Sequence, residues 1–195
     1  MKTSILLDHE PVADGGYLLR SLLRIEGQAP PDDGRTPLNL SLVLDRSGSM
    51  SGPPLHAAIQ AAQTLVRRLR PEDVVSVVAY DDDVTVVAPP STGDEQDNLA
   101  QHIGNIGPGG MTNLSGGWLR ARELVAENRM EGAVNRILLL TDGLANVGLT
   151  DPAEIAEDVA RATGDGVTTS TIGLGRHFGE QMMRHLADAG QGSFT

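Results

Sequence analysis

Residues 38–50, LNLSLVLDRSGSM, indicate the fold of this chain of 195 residues. Residues 38–44 are mostly apolar, which is typical of a strand buried on both faces of a parallel sheet. The run ends abruptly at Asp45, and Ser47, Gly48 and Ser49 follow it. A buried strand that passes directly into small polar residues is the usual arrangement where an α/β sheet carries a binding site at its carboxyl edge.

The chain after this strand alternates between two periodicities. Apolar residues recur at helical spacing, and apolar runs predict further strands. The predicted helices are 54–69, 95–105, 114–128, 152–162 and 179–187, and the predicted strands are 74–80, 84–87, 135–141, 167–173 and 192–195. This alternation predicts an α/β fold with a doubly wound, mainly parallel sheet, helices on both faces and one short antiparallel edge strand at 84–87.

The first 37 residues form an N-terminal extension and linker outside this pattern. Residues 16–26, GYLLRSLLRIE, favour one strand or two short ones, although the leucine spacing also suits a helix. Residues 27–37, GQAPPDDGRTP, are typical of a polar linker. The predicted core domain is therefore 38–195.

The composition argues against several classes of function. The formal net charge is −11, whereas nucleic acids and anionic membranes attract basic proteins. The absence of cysteine excludes disulfides and thiolate metal sites. The apolar run near the N-terminus, residues 5–7, is shorter than the roughly 7–15 residues of a signal peptide. These features predict a cytoplasmic protein that binds neither nucleic acid nor membrane.

Three segments that are expected to meet at one edge of the sheet carry oxygen-bearing side chains. Asp45, Ser47 and Ser49 follow the first core strand, Thr112 lies in the glycine-rich loop 107–113, and Asp142 follows strand 135–141. The carboxyl ends of neighbouring parallel strands lie at the same edge of a sheet, so these side chains are expected to converge. Mg²⁺ prefers oxygen ligands and takes one or two carboxylates. The sequence predicts a Mg²⁺ site there, with Mn²⁺ or Ca²⁺ as alternatives.

This pattern resembles the metal-ion-dependent adhesion site (MIDAS) of von Willebrand factor A domains. The matching features are Asp45-x-Ser47-x-Ser49, Thr112 at 67 residues after Asp45, and an Asp142-Gly143 pair at 97 residues after it. The resemblance spans residues 38–195. It implies that all five side chains hold the metal directly or through water, and that a Glu or Asp of a partner protein occupies the last coordination position. Family members also end with a final strand and a long helix. Residues 192–195 look like only the opening of such a strand, so the complete final strand and the helix are expected to be missing from 38–195.

Three functions compete on these residues. The favoured function is a non-enzymatic, metal-dependent protein-binding module. A Mg²⁺-dependent phosphoryl-transfer enzyme of the haloacid dehalogenase type would require Asp at position 47 and a phosphate-binding Lys, but that position is Ser47 and Lys2 is the only lysine. A regulatory subunit of an AAA+ ATPase assembly of the chelatase or MoxR type shares the favoured chemistry and differs in its partner.

Other polar and apolar residues have two interpretations each. The run Asp81-Asp82-Asp83 favours a solvated hairpin tip over a second cation site. Asn113 and Asn146 are either ordinary loop residues or ligands of waters around the metal. Met111 and Trp118 flank the glycine-rich loop, and both are expected to belong to the core rather than to a partner contact.

Overall fold

A computed structural model of the protein describes residues 2–11, 17–26, 35–142, 145–175 and 179–195. The chain divides into two compact units, Met1–Arg35 and Thr36–Thr195. In the first unit, strands β1 (Lys2–Pro11) and β2 (Tyr17–Glu26) form an antiparallel pair. The strand predicted at 16–26 is thus present, whereas β1 was not predicted.

The second unit is built on a sheet of six strands. Their spatial order is β5-β4-β3-β6-β7-β8, and each neighbouring pair is parallel except β4 with β5, which is antiparallel. The strands are β3 (Leu38–Asp45), β4 (Val74–Tyr80), β5 (Val84–Thr92), β6 (Val134–Thr141), β7 (Thr168–Gly173) and β8 (Gln191–Phe194).

Five helices cover the two faces of this sheet. They are α1 (Pro53–Val66), α2 (Gln96–Gly104), α3 (Leu114–Glu127), α4 (Pro152–Gly164) and α5 (Glu180–Ala189). One apolar cluster joins α1 and α2 to the sheet and the other joins α3, α4 and α5 to it. Side chains of β3 alternate between them: Leu42 and Leu44 enter the first cluster, whereas Val43 enters the second. The predicted doubly wound α/β fold is confirmed.

Element ends differ from the prediction in two instructive places. β5 continues to Thr92 through Pro89 and Pro90, although the prediction ended it at residue 87. β5 is an edge strand and its pairing with β4 shifts register, which is where a sheet tolerates proline. Helix α1 ends three residues before the predicted position 69, because its last turn tightens to shorter-range backbone bonds, such as Leu69 N–H to Val66 O.

Trp118 lies in the core as predicted. Its side chain is 1% exposed, and its indole Nε1–H donates to Thr169 Oγ1 at 3.1 Å. The bond joins α3 to β7 and satisfies the only polar atom of the indole. None of the helices in the described ranges combines the length and apolar character needed to cross a membrane.

The topology fixes where polar side chains collect. β3 lies between β4 and β6 and is parallel to both, with Asp45 opposite Tyr80 and Leu44 opposite Leu140. The carboxyl ends of these three strands therefore lie side by side. Loops that leave this edge carry the residues predicted to form the site.

Replacing Gly117 by Ala tests the packing of α3 against this edge. The added Cβ would lie 2.5 Å from Cδ1 of Tyr80, whose side chain is fully buried. We expect urea denaturation to show a loss of about 1–3 kcal/mol in the free energy of unfolding, because overpacking outweighs the better helix propensity of Ala. Gly164→Ala in α4 is the matched control, since nothing lies within 4 Å of its added Cβ. Equal stability of the two variants would show that α3 is not constrained there.

Candidate metal site

Asp45 ends β3 as a fully buried carboxylate. Its Oδ1 accepts the backbone N–H of Ser47 at 2.8 Å. Its Oδ2 accepts the hydroxyls of Thr141 at 2.5 Å and Tyr80 at 3.2 Å. Donors from the neighbouring strands β4 and β6 and from the following loop thus fix the orientation of this side chain.

The environment of Asp45 disfavours its charge in the absence of a cation. Burial raises the pKa of the Asp45 carboxyl above its ordinary value, and the negative charge of Asp142 adds to this effect. Hydrogen bonds from Ser47 and Thr141 act in the opposite direction but do not cancel the shift. Burial and the nearby Asp45 charge also raise the pKa of the Tyr80 hydroxyl well above its usual range, so Tyr80 is a neutral donor.

Side-chain oxygens of Ser47, Ser49 and Asp142 form a contiguous row. The two serine Oγ atoms are 3.2 Å apart, and Ser49 Oγ donates to Asp142 Oδ1 at 2.9 Å. Adjacent ligands of an octahedral Mg²⁺ with bonds of 2.0–2.1 Å lie about 2.9 Å apart. The spacing of these oxygens therefore fits neighbouring positions around one such ion.

Thr112 lies in the glycine-rich loop, residues 107–113. It is 4% exposed, and its N–H donates to Asn146 Oδ1 at 2.7 Å. The loop is joined to the serine segment by two backbone bonds, Gly48 N–H to Gly110 O at 2.7 Å and Gly109 N–H to Arg46 O at 2.6 Å. The loop that carries Thr112 is thus bonded directly to the segment that carries Ser47 and Ser49.

The site is buried on one side and open on the other. Asp45, Ser47 and Thr112 are at most 4% exposed, whereas Ser49 is exposed and Asp142 is partly exposed. A cation held between these groups would be reachable from solvent on the side of Ser49 and Asp142. The donor set contains only oxygen, and in the described ranges no three His, Cys, Asp or Glu side chains form a metal-binding group. Hydroxyls therefore make up an essential part of this candidate site.

Several residues around the site were not singled out from the sequence. Thr141 and Tyr80 hydrogen-bond to Asp45, but strand residues of these types give no signal in a single sequence. The expected solvated tip at 81–83 is wrong for Asp81, which is 8% exposed and whose Oδ1 accepts Arg46 Nη2 at 2.9 Å. The carboxylate of Asp82 is exposed, but it accepts the N–H of Met111 at 3.0 Å.

The two asparagines differ in the groups they bond to, and the two apolar residues differ in their exposure to solvent. Asn113 caps α3 by accepting the N–H of Gly116, whereas Asn146 holds the backbone of Thr112. Trp118 lies in the core, but the expectation that Met111 does so is wrong, because Met111 is 48% exposed. Gly143, predicted beside Asp142, lies outside the described residues.

Comparison with known proteins identifies similar sequences. Residues 39–195 match the family model of the von Willebrand factor type A domain. The Escherichia coli (strain K12) protein YfbK is 35% identical over 159 residues, covering 80% of this chain and 28% of that protein. The Synechocystis protein sll0103 is 33% identical over 198 residues, covering 98% of this chain and 46% of that protein. The chain thus spans less than half the length of these two curated relatives.

Solved structures share the fold. A von Willebrand factor type A protein from Catenulispora acidiphila superimposes with a TM-score of 0.70 at 22% identity, over 82% of this chain and 38% of that one. Proximal thread matrix protein 1 from the mussel byssus, solved with a zinc-occupied MIDAS motif, gives a TM-score of 0.67 at 19% identity, over 82% of this chain and 44% of that one. At these identities the likeness concerns the fold alone.

The raised pKa of Asp45 predicts a pH dependence of stability without metal. Between the ordinary and the raised pKa the folded protein binds more protons than the unfolded chain, so stability falls as pH rises through the folded-state pKa. Asp45→Asn has no carboxyl group at this position, so it does not undergo this loss of stability as pH rises. In EDTA, urea denaturation from pH 4 to pH 7 should show the stability of Asp45→Asn rising relative to the natural protein. A difference that does not vary with pH would contradict the proposed cost of burying this charge.

Proposed function

Since the chain belongs to the von Willebrand factor type A domain family, we propose that it is a protein-binding module whose bound divalent cation captures an acidic side chain of a partner protein. The proposal is carried by one observation. A contiguous row of hydroxyl and carboxylate oxygens, 3.2 and 2.9 Å apart, connects a buried floor to a solvent-exposed rim. A cation bound there would have protein ligands on one side and a free side for a partner.

The five proposed ligands occupy different positions in the site. Asp45 and Ser47 form the buried floor, Ser49 and Asp142 form the open rim, and Thr112 is the proposed ligand from the glycine-rich loop. Two carboxylates balance the charge of a divalent cation. Mg²⁺ is the proposed ion, and Mn²⁺ or Ca²⁺ accept the same oxygen ligands. The bound cation would supply Lewis acidity for a carboxylate oxygen of the partner.

The surroundings of Asp45 support binding rather than catalysis. A phosphoryl-transfer enzyme of the kind considered above uses a strand-end aspartate as a nucleophile that the substrate must reach. Here the Asp45 carboxylate is fully buried and its oxygens accept bonds from Ser47, Thr141 and Tyr80. We therefore propose a non-enzymatic role.

Metal binding can be measured directly by calorimetry. We expect Mg²⁺ or Mn²⁺ to bind at about one site per chain, and Asp45→Ala and Asp142→Asn to weaken binding at least about 10-fold while leaving the fold intact, because each removes a charged ligand. Glu131→Gln is the control, since this exposed carboxylate precedes β6 at the opposite edge of the sheet. Equal affinities in Asp142→Asn and Glu131→Gln would reject Asp142 as a ligand.

Capture of a partner should require both the metal and the rim of the site. Proteins retained by the immobilised chain in Mg²⁺ should be lost in EDTA and with Asp45→Ala. Met111 is 48% exposed and lies next to Thr112, so we expect Met111→Ala to reduce retention with no change in metal affinity. Leu119→Ala is the matched control, because Leu119 is a second large hydrophobic side chain that is exposed, at 37%, and it lies on helix α3. Retention that survives EDTA would contradict capture through a cation.

A further inference from the structure

The backbone of the glycine-rich loop is held by other segments at five consecutive amides. The N–H groups of residues 109–113 donate in turn to Arg46 O, Asp81 Oδ2, Asp82 Oδ2, Asn146 Oδ1 and Asp81 O. The acceptors lie on three different segments: the loop after β3, the turn between β4 and β5, and the loop after β6. These hydrogen bonds constrain the backbone conformation of the loop on both sides of Thr112.

The turn between β4 and β5 supplies three of these five acceptors. Asp81 Oδ2 accepts Gly110 N–H at 3.4 Å, Asp82 Oδ2 accepts Met111 N–H at 3.0 Å, and Asp81 O accepts Asn113 N–H at 2.9 Å. Arg46 Nη2 contacts Asp81 Oδ1 at 2.9 Å, which orients that carboxylate. The turn therefore accepts hydrogen bonds from the loop on both sides of Thr112.

Two glycines allow the carboxylates of the turn to approach the loop backbone closely. A Cβ on Gly109 would lie 1.8 Å from Asp81 Oδ2, and one on Gly110 would lie 2.0 Å from Asp82 Oδ2. Any side chain at these positions would push the carboxylates away from the loop amides. The Gly109-Gly110 pair and the Asp81-Asp82 pair thus form one structural unit.

We propose that Asp81 and Asp82 are positioning residues, which set the metal affinity of the site by fixing the loop that presents Thr112. This inference rests on the proposed function, because it assumes that Thr112 is a ligand. The two carboxylates act through backbone amides rather than on the cation. A ligand held in place before binding loses less freedom when the cation arrives, and removal of a group that orients a ligand typically weakens metal binding about 10–100-fold.

Asp82 is the better residue to test. Removing the Asp81 carboxylate would leave the half-buried guanidinium of Arg46 without its ion pair and could disturb folding. Asp82 is exposed, as is its neighbour Asp83, whose N–H and backbone O bond to Asp81 and would remain after truncation. Asp82→Ala and Asp83→Ala each remove one exposed carboxylate from the same turn, so they change the net charge of the protein by the same amount.

Mn²⁺ affinity is measured by calorimetry for the natural protein, Asp82→Ala, Asp83→Ala and Asp82→Asn. We expect Asp82→Ala to weaken binding about 10-fold and Asp83→Ala by less than about 2-fold. Asp82→Asn should restore most of the affinity, because the amide oxygen can accept the Met111 N–H. Unfolding temperatures in EDTA should agree among the variants, since the effect concerns the loop rather than overall stability.

The outcomes separate this inference from the proposed function. Equal affinities of Asp82→Ala and Asp83→Ala, with Mn²⁺ still bound by the natural protein, would overturn the positioning role alone. Failure of Asp82→Asn to recover affinity would assign the effect to charge and likewise overturn it. If the natural protein bound no Mn²⁺, the proposed function would fail and the inference with it.

Discussion

A buried carboxylate at the end of the central strand is the constraint on which the rest of this structure depends. Asp45 is inaccessible to solvent, and burial of a charge is unfavourable unless other groups compensate it. The protein supplies donors from Ser47, Tyr80 and Thr141, yet the pKa of Asp45 remains raised. Neutral donors thus compensate only part of the cost, and a cation beside Asp45 would compensate the remainder. The cost of burying the Asp45 charge without a cation would therefore favour metal binding.

The strand order of the sheet places hydrogen-bond donors beside this buried carboxylate. Because β3 lies between β4 and β6 and is parallel to both, the last residues of the neighbouring strands lie beside Asp45. Tyr80 and Thr141 are therefore placed by the sheet itself, and their positions do not depend on flexible loops. The more distant oxygens come from loops, and each loop is bonded to another: Gly48 to Gly110, and Thr112 to Asn146. Sheet and loops together give a buried floor with an accessible rim.

The sequence predicted the parts of this arrangement that have a strong local pattern. Buried strands such as 38–44 carry near-continuous apolar runs, and the helices have a clear period, so the doubly wound fold followed from rules of connection. The convergence of Ser47, Ser49 and Asp142 followed from the same rules, and their assignment as ligands stays a prediction. Thr141 and Tyr80 were not predicted, because their role depends on strand register. The sequence favours a solvated tip for Asp81 and Asp82, since nothing local indicates that a glycine-rich loop 29 residues away donates to them.

The most direct test of the central claim is anomalous diffraction from a crystal of the protein soaked in Mn²⁺. The account predicts one strong anomalous peak enclosed by the oxygens of Ser47, Ser49, Thr112 and Asp142, with the carboxylate of Asp45 beneath it. A well-ordered site with no peak among these oxygens, or a peak bound only at some other acidic group, would contradict it.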